Sequence, residues 1–515
     1  MLRLLRPDLA RNAYALELDA QLPRVLALAD RDSLSSTRGL GDRQYWGWKL
    51  IDFANGTLQG GVNGLSALLK AEAFGPSIDP SAVRNLVSTM MDATVRLMRK
   101  DGSFEEALPY EQSYCVTALV LYDHLQALSR LYPDAGTQAA RLAPACRFLV
   151  TRDETHGMIS NHLATAVAAL LRFHALTGDR SALAKAELLL TRILDRQSDE
   201  GWFEEYGGAD PGYQTLCMSH LADAAILIDS TRLWNALAKA TEFISHFAHP
   251  DGSFGGIYGS RATRIYYPVA MERLAARFNR AAVIRDFMRN SIRRHATVTL
   301  SAIDQPNLLP VFNNYAEALC EDATADNSEV LSPVVPGRVV MPQAGLLVDI
   351  GPRHHSIIST RKAVVYHWSD APCPLIDTGV ALADSGGNVF TSQSDPDPCI
   401  SIDGDQVIIT GHLARRVMPL PNPFNFLVLR ILATTLMRVP SLGALVKKII
   451  ARLLVGTRRR SVLRFRRVIT LGETLTISDE HDGGLQRLPC LGTFSVIHMA
   501  SSGYWQVGDT AGEQK

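Results

Sequence analysis

The periodicity of apolar positions changes once along the chain, near residue 325. Before that point apolar residues recur at helical spacing, as in "SYCVTALVLYDHLQAL" from Ser113, "SNHLATAVAALLRFHAL" from Ser160 and "RLWNALAKATEFISHFA" from Arg232. The stripes are broad, as expected where one helical layer packs on another. Each inner pattern follows a loop of glycine, acid and aromatic residues. Such loops begin at Lys100 ("KDGSF"), Asp153 ("DETHGMIS"), Asp199 ("DEGWFEEYGGADPGY") and Pro250 ("PDGSFGGIYG"). One loop plus two helices about every 50 residues is the signature of a helical-hairpin repeat.

After about residue 325 the period becomes two. "GRVVMPQAGLLVDIG", "HSIISTRKAVVYHW", "CISIDGDQVIITGHL" and "SVLRFRRVITLGETLTISDEHDGG" are Val/Ile-rich and separated by Gly, Asp and Pro turns. Two domains follow: helical hairpins over 1–325 and an antiparallel β-sheet or sandwich over 326–515, with the boundary in "CEDATADNSEVLSPVVPG". The hairpins could form an open solenoid or an α/α toroid. An acidic and aromatic cluster at one fixed point of every repeat favours the toroid, which gathers those points around one mouth. The same loops also read as turn chemistry, with Phe104 and Phe254 plugging gaps between helices.

One stretch of the second domain departs from the strand pattern. Residues 421–460 are apolar with helical character, interrupted by Arg430 and Arg438, then basic. Lys447, Lys448, Arg452, Arg458, Arg459 and Arg460 are followed by Arg464, Arg466 and Arg467. This reads as an amphipathic helical insertion, either packed on the sheet with a solvated basic rim or lying on an anionic membrane surface through 421–467.

Length and charge narrow the class. A chain of 515 residues exceeds one ordinary core. Its 52 basic and 52 acidic side chains cancel, so no nucleic-acid partner is expected. The seven cysteines show no CxxC spacing and read as reduced thiols. The N-terminus carries Arg, Asp and Glu where a secretion signal needs an apolar core, and no run suits a spanning helix. The expected location is cytoplasmic, or peripheral at the inner membrane face if the insertion docks on lipid.

Candidate chemistry concentrates at the loop-to-helix junctions. In "GMISNHLATAVAAL", Ser160 or Asn161 is a plausible N-cap, placing Asn161 and His162 at the start of an inner helix. The positive helix end there should keep His162 neutral, as a general base requires. A capping Asn beside a structural His is the simpler alternative. Tyr213 lies one repeat later, at the equivalent junction, with Glu204, Glu205 and Asp210 nearby.

This arrangement resembles the heparinase II/III-like polysaccharide lyases; alginate and oligoalginate lyases with a toroid-plus-sandwich fold are similar. The resemblance implies β-elimination on a uronic-acid-containing polysaccharide or oligosaccharide. Asn161 and His162 would neutralise the uronate carboxylate, with His162 as base or orienter and Tyr213 as acid or acid/base. Family members place β-domain histidines at a structural zinc or at the mouth in a His-x-His pattern. This chain has adjacent His354 and His355 and a lone His367, and neighbouring strand residues point to opposite faces. At most one of the adjacent pair could join the site; His354 is the candidate, and no cofactor is expected beyond the structural zinc that the resemblance leaves open.

Arg38, Arg43, Tyr45, Trp46, Trp48 and Lys49 mix cations with flat rings, which suits an acidic saccharide or an N-terminal strap packed on the toroid. Arg261, Arg264 and Tyr266 in the fourth loop are further candidates for binding substrate, with Glu111, Trp202, Glu205 and Asp210. A glycoside hydrolase of the same fold would use two carboxylates, drawn from Glu106, Glu111, Glu205 and Asp210. A non-catalytic saccharide-binding or membrane-associated protein is the third reading. Terpene cyclases are disfavoured because no DxDD run is present.

Overall fold

The computed structural model describes residues 3–154, 157–321, 331–371, 373–394, 397–416, 422–439, 441–443, 445–446, 449, 460–482 and 484–488. In chain order the helices are α1 (Ala13–Leu28), α2 (Arg43–Trp46), α3 (Gly61–Lys70), α4 (Pro80–Leu97), α5 (Tyr114–Leu131), α6 (Ala135–Ala139), α7 (Ala143–Thr151), α8 (Ser160–Thr177), α9 (Arg180–Asp195), α10 (Pro211–Leu227), α11 (Thr231–Ser245), α12 (Val269–Leu274), α13 (Asn279–Arg293), α14 (Gln305–Glu321) and α15 (Pro423–Thr434).

Six of these, α3, α5, α8, α10, α12 and α14, pack side by side in a closed inner ring. Helices α1, α4, α7, α9, α11 and α13 form the outer layer, each against its inner partners. This is an α/α toroid, not an open superhelix. Because every hairpin runs outer to inner, all six inner helices begin at the same mouth, where the glycine-aromatic loops lie. Their positive dipole ends converge there.

Closure depends on α14 meeting α3. Asn313 Oδ1 accepts from the Gly64 amide at 3.0 Å, and Asn313 Nδ2 donates to the Gly60 carbonyl at 2.9 Å. A Cβ at Gly64 would lie 2.7 Å from the Phe312 ring, so only glycine allows this approach. Inside the ring a buried ion cluster joins opposing helices. Glu317 meets Arg130 at 3.3 Å and Arg273 at 3.0 Å, while Arg172 reaches Asp223 at 2.7 Å. Burial pushes the Glu317 carboxyl up, but the two guanidiniums outweigh it and bring it to about 2.

The aromatic residues of the DG loops face inward: Phe104 and Phe254 are buried plugs, the turn-chemistry alternative. Tyr266 is also enclosed, edge-on to Phe254 at 5.1 Å.

The strands are β1 (Gly337–Met341), β2 (Leu346–Ile350), β3 (His355–Ser359), β4 (Val364–Trp368), β5 (Leu375–Asp377), β6 (Ala381–Ala383), β7 (Val389–Thr391), β8 (Cys399–Asp403), β9 (Gln406–Arg415), β10 (Arg460–Thr470), β11 (Thr476–His481) and β12 (Gln486–Arg487). The first sheet is an antiparallel meander, β1 to β5 in order. The second runs β11-β10-β9-β7-β6-β12, with β8 also paired to β9. The expected boundary at residue 325 lies outside the described residues; α14 ends at Glu321 and β1 starts at Gly337.

Strands β2 and β3 are buried on both faces, which explains their near-continuous apolar run. Leu346, Val348, Ile350, Ile357 and Tyr366 join the toroid core, whereas Leu347, Ile358 and Val365 join the core between the sheets. The molecule is therefore layered as toroid, first sheet, second sheet. Arg467 ties the sheets together: fully buried, it bonds Asp479 twice at 2.7 Å, Asp377 and the Ala363 carbonyl. It points inward and is not part of an outward basic rim.

The mouth loops carry the first sheet. Glu200 accepts from the Gln343 and Ala344 amides at 2.7 and 2.8 Å, and Lys362 donates to the Ile257 carbonyl at 3.0 Å and to that of Gly259. His249 stacks on Tyr366 with ring centroids 3.9 Å apart.

Several histidines are buried neutral. His124, on α5, is hydrogen-bonded to the Val120 carbonyl at 2.9 Å, its Nε2 has no partner among the described residues, and burial lowers its pKa to about 4. The unfolded chain takes a proton at about 6.5 that the folded site refuses, so this residue lowers stability progressively as pH falls from about 6.5 to about 4. His124→Leu should therefore flatten the acid limb of the stability curve, by up to about 3 kcal/mol at 1.4 kcal/mol per unit. Denaturant titrations at pH 7 and pH 4 check this; equal acid losses in parent and variant would contradict it.

Candidate functional site

The site is built on equivalent helix starts. His162 is the third residue of α8 and Tyr213 the third of α10, so both stand at the mouth on neighbouring inner helices. The start of α10 is capped by Asp210, whose carboxylate accepts from the Tyr213, Arg261 and Thr263 amides at 3.0, 2.9 and 3.3 Å. Asp210 holds the loops together and is spent on backbone. At α8 the expected caps fail. The N-cap is Ile159 with no side-chain bond; Ser160 Oγ donates to the Glu204 carbonyl at 2.8 Å, and Asn161 Nδ2 to Glu205 Oε1 at 2.7 Å. The isolated bridge between Ile159 and Glu205 draws this helix start against the next loop, and so turns both side chains across to it.

Glu205 is buried, and its pKa is raised to about 7 by burial, against the opposing effects of His162, Arg261 and the Asn161 bond. Arg261 Nη1 lies 4.0 Å from it. The Arg261 guanidinium sits 3.8 Å from the Tyr206 ring centre and 5.1 Å from that of Tyr213, in contact with two phenols. It is only 4% exposed, yet its Nε and Nη1 find no hydrogen-bond partner among the described residues. Such donors normally are satisfied when buried.

His162 does not meet the expectation of neutrality. Its Nδ1 lies 2.8 Å from Glu154 Oε2, and Cys115 is hydrogen-bonded to the same ring. Burial pushes the imidazole down, but Cys115 and the Glu154 carboxylate outweigh it, holding the pKa well above the ordinary value. The helix end loses to Cys115 and Glu154 in direct contact with the ring. The Cys115 thiol itself is pushed up by burial, with His162 pulling the other way.

The ring packed on His162 is that of Tyr206, edge-on at 6.5 Å between centroids. Tyr206 is 43% exposed and has φ +54°, a left-handed conformation uncommon outside glycine. Its turn is fixed by Glu205 N to Gly208 O at 2.8 Å, Ser260 Oγ to Glu205 O at 2.8 Å, and Arg361 of the first sheet on the Gly207 carbonyl at 3.4 Å. Strain of this kind, of order 1–3 kcal/mol, persists only where the surroundings over-determine it.

The sequence-named residues divide. Asn161, His162, Tyr213, Glu205 and Arg261 converge. Arg264 is buried behind them and helps depress His249, whereas the enclosed Tyr266 offers no substrate surface. Glu111 accepts from the Ala107 and Leu108 amides at 2.6 and 3.0 Å, and Trp202 donates to Glu200 at 2.9 Å, so both serve loop structure. Trp46 donates to the Leu28 carbonyl at 2.8 Å and behaves as a strap, with Trp48 exposed beyond it. Exposed Arg38 lies by α4, its carbonyl accepting from Arg96 at 3.0 Å. His354 pairs with Asp349 at 3.0 Å, while His355 faces the opposite side toward His249 at 5.6 Å. Among the described residues no group of three or more His, Cys, Asp or Glu is arranged to hold a metal ion.

Cys115, Glu154 and Tyr206 were missed. Repeat arithmetic could have found Cys115, which is the second residue of α5, one junction before His162. Nothing in the pattern marks Glu154, and Tyr206 is singled out only by its backbone conformation.

The fold is an α/α toroid carrying an antiparallel β-sandwich. No family model and no curated protein matches the chain. Among solved structures it is similar to a xanthan lyase from Paenibacillus, at 11% identity and a TM-score of 0.47, over 79% of this chain and 46% of that one. The chain thus spans less than half the length of that enzyme. It is also similar to a polysaccharide lyase (8% identity, TM-score 0.35, 55% of this chain and 94% of that one). A third is the endoglucanase CelQ from Clostridium thermocellum, complexed with cellotriose (11%, 0.32, 72% and 78%). None of these similarities assigns a role to a residue of this chain.

His162 should remain protonated above pH 6.5 because Glu154 and Cys115 face it, and Glu154→Gln should bring its midpoint down. A histidine side-chain NMR titration reads this directly. A midpoint at or below the ordinary 6.5 in the parent would contradict the assignment.

Proposed function

We propose that the chain is a polysaccharide lyase acting on a uronate-containing polysaccharide or oligosaccharide by β-elimination, in the manner of the heparinase II/III-like lyases it resembles. The observation that carries this reading is Arg261: a buried guanidinium with two open N–H donors at a mouth ringed by helix N-termini. A carboxylate is the natural partner of such a fork, and charge-assisted bonds of this type are the strong ones. His162, its pKa held up by Cys115 and Glu154, and Asn161 stand beside it.

In this reading the substrate carboxylate binds between Arg261, His162 and Asn161, which neutralise it and acidify the C5 proton. The C5–H and C4–O4 bonds break and a C4=C5 double bond forms. The hydroxyls of Tyr206 and Tyr213, whose rings both pack near Arg261, are the proton-transfer groups: one takes the C5 proton and the other returns one to the leaving O4. Glu205, titrating near 7 beneath them, lets the network change charge at neutral pH.

The hydrolase alternative has less support. Of its four candidate carboxylates, Glu111 and Asp210 are committed to backbone amides and Glu106 accepts from Ser113 Oγ at 2.8 Å. A non-catalytic saccharide-binding protein would keep the receptor and lack turnover.

Incubation with uronate oligosaccharides should generate the ultraviolet absorbance of an unsaturated uronate, which hydrolysis does not produce. Tyr206→Phe and Tyr213→Phe should each cut turnover by at least about 100-fold with little change in substrate binding. Arg261→Met should weaken binding of the anionic substrate by at least about tenfold. Reducing-end release without that absorbance, or full turnover in both Phe variants, would refute the assignment.

A further inference from the structure

Two parts of the β-domain reach the toroid mouth. One is the insertion carrying α15. There Arg430 pairs with Asp52 at 3.0 Å and Arg438 donates to the Tyr110 hydroxyl at 3.1 Å, which fastens it to the loops before α3 and α5. Lys447, Lys448, Arg452, Arg458 and Arg459 of this insertion lie outside the described residues. The other part is the tip of the β3–β4 hairpin, residues 360–363, which is planted on the two loops that carry Tyr206 and Arg261.

Lys362 is the buried half of this tip. Only 8% exposed, its ammonium donates to the carbonyls of Ile257 and Gly259, the latter two residues before Arg261. A charge so enclosed is costly unless its protons meet acceptors, so the turn and the ammonium hold each other. The same turn is closed by Gly259 N on the Gly256 carbonyl at 3.0 Å and by Ala262 N on the Gly259 carbonyl at 3.1 Å. Arg361 serves the neighbouring loop. Its guanidinium donates to the Gln343 carbonyl at 2.7 Å and to the Gly207 carbonyl at 3.4 Å, one residue past Tyr206. Its stem crosses Gly345, where a Cβ would come within 2.5 Å of Arg361 Cγ.

Two consecutive side chains thus grip turns that belong to different toroid repeats. The turns need a grip, because Gly207 and Gly208 follow Tyr206 while Gly255, Gly256 and Gly259 precede Arg261, and glycine backbone is the most costly to order. The tip itself is held from behind by the second sheet. Ser392 Oγ donates to the Lys362 carbonyl at 3.0 Å, and Arg467 donates to the Ala363 carbonyl at 2.7 Å. Ala363 on the tip and Ala262 beside Arg261 have φ of +57° and +55°, left-handed conformations that persist only where the surroundings impose them.

We propose that Lys362 and Arg361 are positioning residues: the hairpin tip sets the register of the two turns and so brings the Arg261 guanidinium against the Tyr206 ring. The β-domain is thereby required to assemble the carboxylate receptor, a consequence that rests on the reading of Arg261 given above; the positioning itself does not.

The test places fluorotyrosine at position 206 of the full chain and reads its fluorine NMR line with no ligand present. A cation against the ring is felt there directly. Lys362→Met and Arg361→Met should each move the line toward that of Arg261→Met. Arg361 is exposed, so its variant keeps the fold even where loss of the buried ammonium does not. Tyr366→Phe removes a different toroid-to-sheet bond, from the Tyr366 hydroxyl to Asp251 at 3.2 Å, and should leave the line in place. An unmoved line in the tip variants overturns the proposal, as does an equal shift in Tyr366→Phe, which would make the tip a staple between domains and no more. A galacturonate trisaccharide separates the two claims. Lys362→Met should weaken its binding by at least about tenfold, as expected for Arg261→Met. A line that moves while the trisaccharide treats parent and variants alike would refute the carboxylate receptor and leave the positioning standing.

Discussion

Everything at the mouth depends on closing the ring where α14 meets α3. Asn313 bridges Gly60 and Gly64, the missing Cβ of Gly64 admits the Phe312 ring, and the buried ion cluster around Glu317 joins helices across the interior. A buried ion pair is a poor source of net stability but a costly one to break, since a lone charge would remain. Here it fixes which helices face one another. With the ring closed, six loops that lie about 50 residues apart in sequence become neighbours in space.

Those loops then serve two masters. Their glycines and aromatic plugs set the turns, and their polar residues either hold the β-domain or line the site. Glu200 and the carbonyls of Ile257 and Gly259 carry the first sheet. Glu205, Tyr206 and Arg261 stay at the mouth. The sheet contributes to the site indirectly, because Arg361 props the Gly207 turn that presents Tyr206. A half-buried imidazole with a raised pKa, a buried guanidinium with open donors and a carboxyl near neutrality are an expensive combination to keep in low dielectric. Such perturbed groups cluster where chemistry is done.

The large features were legible because they rest on periodicity: helical repeats, then alternating strands, with Asn161, His162 and Tyr213 fixed by position within a repeat. What was not legible depends on contacts across repeats. The helix end alone predicts a neutral His162; Cys115 on the neighbouring inner helix and Glu154, eight residues back in the chain, reverse that. Asp210 looked like a ligand and proved to be a cap. Tyr266 was a candidate for binding substrate and proved to be core, packed on Phe254. Trp46 and Glu111 had the right chemistry for a saccharide and are used to bind backbone. Composition names the residues that could bind a sugar; only packing shows which are free to.

The central claim is that the mouth is a receptor for a carboxylate, centred on Arg261. The most direct measurement is a crystal structure with a uronate oligosaccharide bound. The account predicts a sugar carboxylate within hydrogen-bonding distance of Arg261 Nε or Nη1, with the ring between Tyr206 and Tyr213. A glycan bound elsewhere, for instance in the cleft of about 500 Å³ beside Arg464 and His481 on the second sheet, with Arg261 untouched, would contradict it.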